Sequence, residues 1–298
     1  MTSIRSIDRF EYRAPGSLDE TLDILKTSGT DAKVLAGGTD LILQMKQGLI
    51  RPSLVVDVKK VPELNRLEWD EVGGLHVGAV VPLNKLATFP AILERYNILA
   101  QACSVIGSAQ VRNRGTMAGN ICNAAPSADS APALLCLGAG AVVASSNGAR
   151  SIDLNDFFVA PGETAIGDGE LMVEIEVPTP PPHSAGCYIR HTTREEMDIA
   201  VVGVASFLTL SPQDKTLKEA RIALGAVAPT PVRAHGAEAF LTGKSVTPDI
   251  IEEVAEKAAA EANPISDLRG SAEYRRELVR VLVRRTLRES CSELGLIE

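Results

Sequence analysis

The sequence predicts an α+β protein of two domains, and three observations carry that prediction. Helix and strand signals alternate through the first sixty or so residues, strands dominate from there to residue 177, and a PTPPP stretch at 178–182 interrupts the pattern before further strands and two closing helices. A length of 298 residues suits two units, since domains run to roughly 150 residues each. Hydrophobic residues at 45% and charged residues at 23% are ordinary globular values that exclude a disordered or fibrous chain. Aromatics at 4% mean that the core is built from Ala, Val, Leu and Ile.

The elements follow in order. Ser17 and Glu20 have capping-box spacing, Leu22 and Leu25 form the apolar stripe, and Gly29 is the stop of a first helix. An apolar run at 33–36 is cut by Gly37 and Gly38, a helix-like segment covers 40–46, and 54–58 reads as a strand, which makes a small αβ lobe. Residues 74–81 alternate with Leu75, Val77 and Ala79 on one face; 91–106 reads as one helix; 131–144 reads as a buried helix end running into a strand. Residues 171–177 alternate and stop at Pro178. Beyond the proline stretch, 200–210 and 219–227 read as strands. Thr247 caps a helix with Pro248 at its first position and Ile250, Ile251, Val254 and Ala258 on one face. The last helix spans 271–289, and its basic residues suit a solvated face or a contact with an acidic partner.

Charge and motifs narrow the function. Thirty Lys and Arg against 38 Asp and Glu leave a net charge of −8, which argues against nucleic acid or an anionic membrane as the main partner. The longest apolar stretch, 131–144, holds two glycines and falls short of the roughly 20 residues of a membrane span. Five cysteines, an odd number without CxxC spacing, predict reduced, mostly buried thiols in a cytoplasmic protein. The TGKS at 242–245 lacks the earlier glycine of a P-loop, because Glu238 stands there. His76, His183, His191 and His235 are scattered without metal-ligand spacing, and no GxSxG is present.

Two glycine turns remain. The first runs from Val34 to Leu41 through Gly37, Gly38 and Thr39; the second runs from Arg114 to Asp129 through Gly115, Thr116, Gly119, Asn120 and Asn123. Either alone fits a tight turn as well as a ligand cradle. Two such turns, far apart in sequence and each preceded by ordered structure, can grip a long dianion from two sides, and a dinucleotide pyrophosphate has that shape. A branched side chain at Gly38 or Gly119 is then expected to fill the space of the phosphate oxygens.

AGGTDL at 36–41, RNRGTMAGNICNAAPSAD at 112–129 and SDLRGSAEYRR at 266–276 resemble the FAD-binding medium subunit of the xanthine dehydrogenase and carbon monoxide dehydrogenase family, the molybdenum hydroxylases. The resemblance covers essentially the whole chain. It implies an FAD-binding domain of the vanillyl-alcohol-oxidase (PCMH) type over 1–178, with lobes of about 1–58 and 59–178, and a C-terminal sheet-and-helix domain of the CO dehydrogenase flavoprotein type over 179–298. Carried over by motif, Val34, Leu35, Ala36, Gly37, Gly38, Thr39, Asp40 and Leu41, with Thr116, Met117, Ala118, Gly119 and Asn120, would surround the FAD pyrophosphate. Asp129 falls at an acidic FAD contact, Ile106 at an apolar position near the flavin, and Asn123 where threonine is frequent. Leu171 or Met172 would lie over the cofactor, and Arg190 matches a basic position. Ile199 stands where some relatives have a flavin-shielding tyrosine, so an aromatic lid is not expected. A lone Cys122 after the second motif predicts no additional [4Fe–4S] cluster.

The family assigns no catalytic acid, base or metal ligand to this subunit. A small partner with two [2Fe–2S] clusters relays electrons, a large partner holds the molybdenum cofactor, and the assembly expected is a dimer of heterotrimers. A free-standing FAD oxidase or reductase of the same fold, and a binding protein that has lost its flavin, are the competing readings.

Overall fold

Residues 7–194, 196–213 and 215–297 are described in the computed structural model. The first lobe contains β1 (Glu11–Arg13), α1 (Leu18–Ser28), β2 (Ala32–Leu35), α2 (Leu41–Gln47) and β3 (Leu54–Asp57). Its three strands are parallel, in the order β1-β3-β2, and the central β3 is buried throughout. The Ser17 hydroxyl caps α1 by accepting from the Glu20 amide at 3.2 Å. The reciprocal arm of the box lands one residue early, because the Glu20 carboxylate accepts from the Gly16 amide at 2.8 Å. Gly29, at φ +54°, ends the helix as its position suggests.

The second lobe runs through β4 (Leu67–Asp70), β5 (Gly74–Gly78), α3 (Leu83–Leu86), α4 (Pro90–Arg95), α5 (Asn97–Ser104), α6 (Ala109–Arg112), α7 (Met117–Cys122), α8 (Ser130–Leu137), β6 (Gly140–Ser145), β7 (Gly148–Asp153), β8 (Phe158–Ala160), β9 (Glu163–Thr164) and β10 (Leu171–Val177). Five strands form an antiparallel sheet in the order β4-β5-β10-β6-β7. The helix expected over 91–106 is two helices, α4 and α5. The break falls at Tyr96, which leaves helical geometry at φ −128°, ψ 43° and is completely buried. The strand expected over 74–81 ends at Gly78. From there the amides of Ala79 and Val80 reach the carbonyls of Val173 and Leu64 instead of one neighbouring strand.

The C-terminal part holds β11 (Ser184–His191), β12 (Val202–Ser211), β13 (Thr216–Gly225), β14 (Val232–Arg233), α9 (His235–Leu241), α10 (Pro248–Glu261) and α11 (Ala272–Glu293), with the strands antiparallel in chain order. Period-two alternation makes this sheet two-faced. Val202, Val204 and Leu208 of β12 join Val254 and Leu282 from α10 and α11 in one core, while Ala205 and Phe207, facing the other way, join the core of the second lobe. Burial on both faces explains why β12 reads as a nearly continuous apolar run. Thr247 and Ser271 cap α10 and α11, accepting from the Ile250 and Tyr274 amides. Two basic residues of α11 face an acidic neighbour within the chain: Arg280 pairs with Glu256 at 2.8 Å and Arg284 with Glu252 at 2.7 Å. Strand β11 has no counterpart in the sequence reading; its small residues (SAGC) hide the alternation. All five cysteines are unpaired thiols, four of them buried and Cys122 partly so. No helix among the described residues is long and apolar enough to cross a membrane.

Candidate functional site

A cavity of about 930 Å³ opens between the two lobes and the first turn after β11. Its walls are the β2–α2 turn, the α6–α7 turn with α7, the segment 125–129, the 164–172 stretch and Met197 to Ile199. Small parallel αβ units present the loops that follow their strands to ligands, and the first glycine motif is such a loop, leaving β2 at the sheet edge.

The two glycine turns meet backbone to backbone. A Cβ built on Gly37 would collide with the Arg114 carbonyl oxygen and lie 2.7 Å from the Gly115 Cα, so only glycine permits this approach. Gly38 adopts φ +74°, the left-handed region that favours glycine, and its added Cβ would strike the Leu35 side chain at 2.6 Å. The clash at Gly38 is therefore with protein and not with space left for a ligand, contrary to the expectation from sequence. At Gly119 a Cβ would touch only the Thr116 hydroxyl, at 3.0 Å. Leu83 holds the second turn in place by donating its amide to the Gly115 carbonyl at 2.9 Å. The lobes are latched where the Gln44 amide of α2 donates to Asn123 at 3.1 Å.

Thr116 caps α7, its hydroxyl accepting from the Gly119 amide at 2.9 Å. Asn120 accepts from the Ser130 hydroxyl at 2.7 Å, which fixes its side-chain oxygen. Asp40 is exposed at the mouth of the cavity, and partial desolvation there lifts its carboxyl above the usual carboxylate range. Cys122 and Met172 pack sulfur to sulfur at 3.8 Å. Burial pushes the Cys122 thiol up to about 12, so it stays protonated and unreactive at neutral pH.

A buried charged triad closes one end. Asp129, just ahead of α8, accepts from the Tyr188 hydroxyl at 2.6 Å and from the Arg190 guanidinium at 2.7 Å. Both donors project from β11, two residues apart and so on the same face. The side chains of Arg190 and Asp129 are only 7% and 8% exposed. Burial raises the Asp129 carboxyl, and the attraction of Arg190 and the two hydrogen bonds oppose that rise. The Tyr188 phenol is held well above its ordinary value by burial and by the Asp129 charge, so it remains a donor. Gln101 of α5 anchors the strand by accepting from the Tyr188 amide at 2.8 Å.

The far rim is a tight loop clamped by Asp198. Its carboxylate accepts from the Thr193 hydroxyl at 2.6 Å and from the amides of Thr193, Arg194 and Ile199 at 3.1, 2.9 and 2.9 Å. The Thr193 hydroxyl and these amides depress the Asp198 carboxyl far below its ordinary range, against a smaller opposing effect of burial. A depressed folded-state value means that the clamp is fully present above the unfolded carboxylate range and is lost as pH falls through the folded value. Amide exchange at Thr193, Arg194 and Ile199, corrected for intrinsic rate, should thus be constant from pH 8 to about 5 and accelerate only below about pH 4. Asp198→Asn should open the loop at neutral pH; unchanged protection in that variant would show that the carboxylate is not what holds it.

Most of the residues singled out from sequence converge on this cavity. Val34, Ala36, Gly37, Gly38, Thr39, Asp40 and Leu41 line one wall; Thr116, Ala118, Gly119, Asn120 and Asn123 line the facing wall; Ile106, Asp129, Leu171 and Met172 complete it. Leu171 and Met172 both reach it, at the end of β10 where the pairing register shifts beyond Met172. Leu35, Met117 and Arg190 are not in the lining. Leu35 packs under Gly38, Met117 is fully buried, and Arg190 acts on the cavity only through Asp129. Sequence reasoning missed Gln44, Tyr188 and the 166–170 stretch. For Tyr188 a signal was present, since a tyrosine two residues before an arginine in an alternating segment shares its face.

A cavity of this size, closed where Gly37 of one turn abuts the backbone of the other, suits a dinucleotide held between two αβ lobes. The family model of the FAD binding domain in molybdopterin dehydrogenase matches residues 8–180, and that of the CO dehydrogenase flavoprotein C-terminal domain matches 188–290. The carbon monoxide dehydrogenase medium chain of Hydrogenophaga pseudoflava is 34% identical, over 94% of this chain and 96% of its own. The xanthine dehydrogenase FAD-binding subunit of Escherichia coli is 29% identical over 97% and 98%. The solved carbon monoxide dehydrogenase of Hydrogenophaga pseudoflava superposes with a TM-score of 0.92 over 97% of this chain and 99% of that one, at 34% identity. The chain belongs to the FAD-binding medium subunits of the xanthine dehydrogenase and carbon monoxide dehydrogenase family, a family of oxidoreductases.

Proposed function

We propose that this chain is the electron-relay subunit of a heteromeric molybdenum hydroxylase. It takes single electrons from the [2Fe–2S] clusters of a small partner subunit and passes them in pairs from FAD to an external acceptor. A large molybdopterin subunit hydroxylates the substrate, in a dimer of heterotrimers located in the cytoplasm. The supporting observation is the closure of both glycine turns on one cavity of about 930 Å³, at the upper end of the ~300–1,000 Å³ of ligand pockets. Gly119 lines that cavity, and a Cβ there would meet only the Thr116 hydroxyl, which supports close approach of a diphosphate at this position.

FAD supplies one- and two-electron chemistry when bound; the protein binds and orients it. In this reading the turns 34–41 and 116–120 receive the pyrophosphate, and Asn123 contributes its amide. Ile106, Leu171 and Met172 cover the ring system and exclude water. Asp129 is a fixed carboxylate against the cofactor, positioned by Tyr188 and Arg190. Among the described residues the cavity lining holds no histidine, and its one thiol is kept protonated. The relatives are named for carbon monoxide and for xanthine, two unlike substrates, yet resemble this chain along nearly its whole length. That pattern supports a substrate site on another subunit.

The test is affinity purification of tagged chain from its native cells, followed by flavin, iron and molybdenum analysis. A yellow-brown heteromer with all three is expected. A chain that purifies alone, retains FAD and turns over a substrate unaided would overturn the relay role, and one that takes up no FAD would overturn the cofactor assignment.

A further inference from the structure

We infer that the solvent face of the second-lobe sheet carries a divalent transition-metal site, formed by His76 of β5 with Glu174 and Glu176 of β10 and suited to zinc. Cross-strand register builds it. Glu68, His76 and Glu176 are direct partners along one row of the sheet, and Arg66, Gly78 and Glu174 neighbour one another along the next. Residues two apart on a strand share a face, so Glu174 and Glu176 both present carboxylates to one imidazole. The His76 Nδ1 lies 2.7 Å from a Glu174 oxygen and 3.7 Å from a Glu176 oxygen. One atom from each of the three side chains falls within 4.8 Å of the others. Tetrahedral zinc with bonds of roughly 2.0–2.2 Å holds its ligand atoms about 3.3–3.6 Å apart, so Glu174 opens from its hydrogen-bond distance and the half-exposed Glu176 rotates inward to complete the set.

Two further features favour a cation. A further carboxylate lies close to the imidazole: the His76 Nε2 and an Asp70 oxygen are both near Gly73, at 2.9 and 3.0 Å from the position a Cβ would take there. Asp70 is fixed by accepting the Val72 and Gly73 amides at 2.9 and 2.6 Å through its other oxygen. It adds negative charge beside the three ligands, which favours a cation. In addition, this patch gathers four carboxylates (Glu68, Asp70, Glu174 and Glu176), of which Arg66 pairs with two, Glu68 and Glu174. Arg66 bonds Glu68 at 3.0 Å and reaches Glu174 only at 3.4–3.5 Å. It can release Glu174 to a metal and keep Glu68. One imidazole and two carboxylates suit zinc and its neighbours better than calcium.

None of the three ligands lines the cofactor cavity, so the test separates from flavin binding. Metal-stripped full-length protein is titrated with Zn²⁺ by calorimetry, with Co²⁺ absorption as a second probe. One equivalent should bind, and both His76→Ala and Glu174→Gln should weaken it by about tenfold or more. Arg66→Gln should tighten it, because the competing cation is gone, while flavin content stays unchanged throughout. Zinc should raise the melting temperature of the parent and leave that of His76→Ala unmoved, and circular dichroism verifies that the variants fold. Absence of saturable binding, or binding insensitive to both His76→Ala and Glu174→Gln, overturns the site and leaves a cross-strand hydrogen bond.

Discussion

A Gly37→Ala chain is expected to purify without flavin and to melt well below the parent. The added methyl would meet backbone on every side: the Arg114 carbonyl oxygen, the Arg114 carbonyl carbon at 2.8 Å and the Gly115 Cα at 2.7 Å. A side chain could rotate away, whereas these atoms belong to a turn tied to Leu83 and capped into α7. The turns must separate, at a cost of about 1–3 kcal/mol or more, and the cradle formed between them is lost. Gly119→Ala is the matched control. That position is inside a helix, where alanine is favoured over glycine by about 0.5–1 kcal/mol, and its methyl meets only the Thr116 hydroxyl. Its melting temperature should equal or exceed the parent value while flavin retention falls. Visible absorbance read beside a thermal melt decides both. A Gly37→Ala protein with stoichiometric flavin would mean that the contact between the turns is not what shapes the site.

Arg190→Ala should be the most destabilising single change at the cavity, by about 3–5 kcal/mol, because it strands a buried carboxylate. Asp129 would keep only the Tyr188 hydroxyl, at 2.6 Å. The pH dependence identifies the cause. Burial already raises the Asp129 carboxyl, and losing the arginine removes the main opposing attraction. A carboxyl raised above its unfolded value costs stability in full above the folded value, and that cost shrinks as pH falls from the folded toward the unfolded value. The deficit of Arg190→Ala should therefore shrink as pH is lowered toward the unfolded carboxylate range of about 4 in denaturant melts. Asp129→Ala strands the arginine in turn, so it loses stability as well as flavin affinity. The double variant Asp129→Ala/Arg190→Ala should be more stable than the sum of the single losses allows, with flavin binding still weakened. Strict additivity would show that the two residues do not act as a pair.

Much of the fold was legible from residues alone, for local reasons. Ser17, Thr247 and Pro248 mark helix starts because capping is satisfied within one turn. The strand over 171–177 shows because apolar and charged residues alternate from Val173 to Val177 and stop at Pro178. The failures have local causes too. Tyr96 breaks a helix whose apolar spacing continues through it, since burial of its ring outweighs the periodic signal. Strand β11 escapes notice because residues 184–187, SAGC, have little side-chain contrast, yet it carries Tyr188 and Arg190.

The sequence by itself determined that two glycine turns exist and which residues flank them, because the left-handed φ of +74° at Gly38 needs glycine whatever surrounds it. It also determined the family, through the motifs at 36–41, 112–129 and 266–276. Tertiary structure alone decided which atoms touch. That Gly37 abuts Arg114, that Gln44 latches Asn123, and that Arg190 serves Asp129 from 61 residues away follow from strand register and helix packing. Such contacts are set by the joint burial of many side chains, and no short stretch of sequence contains that information.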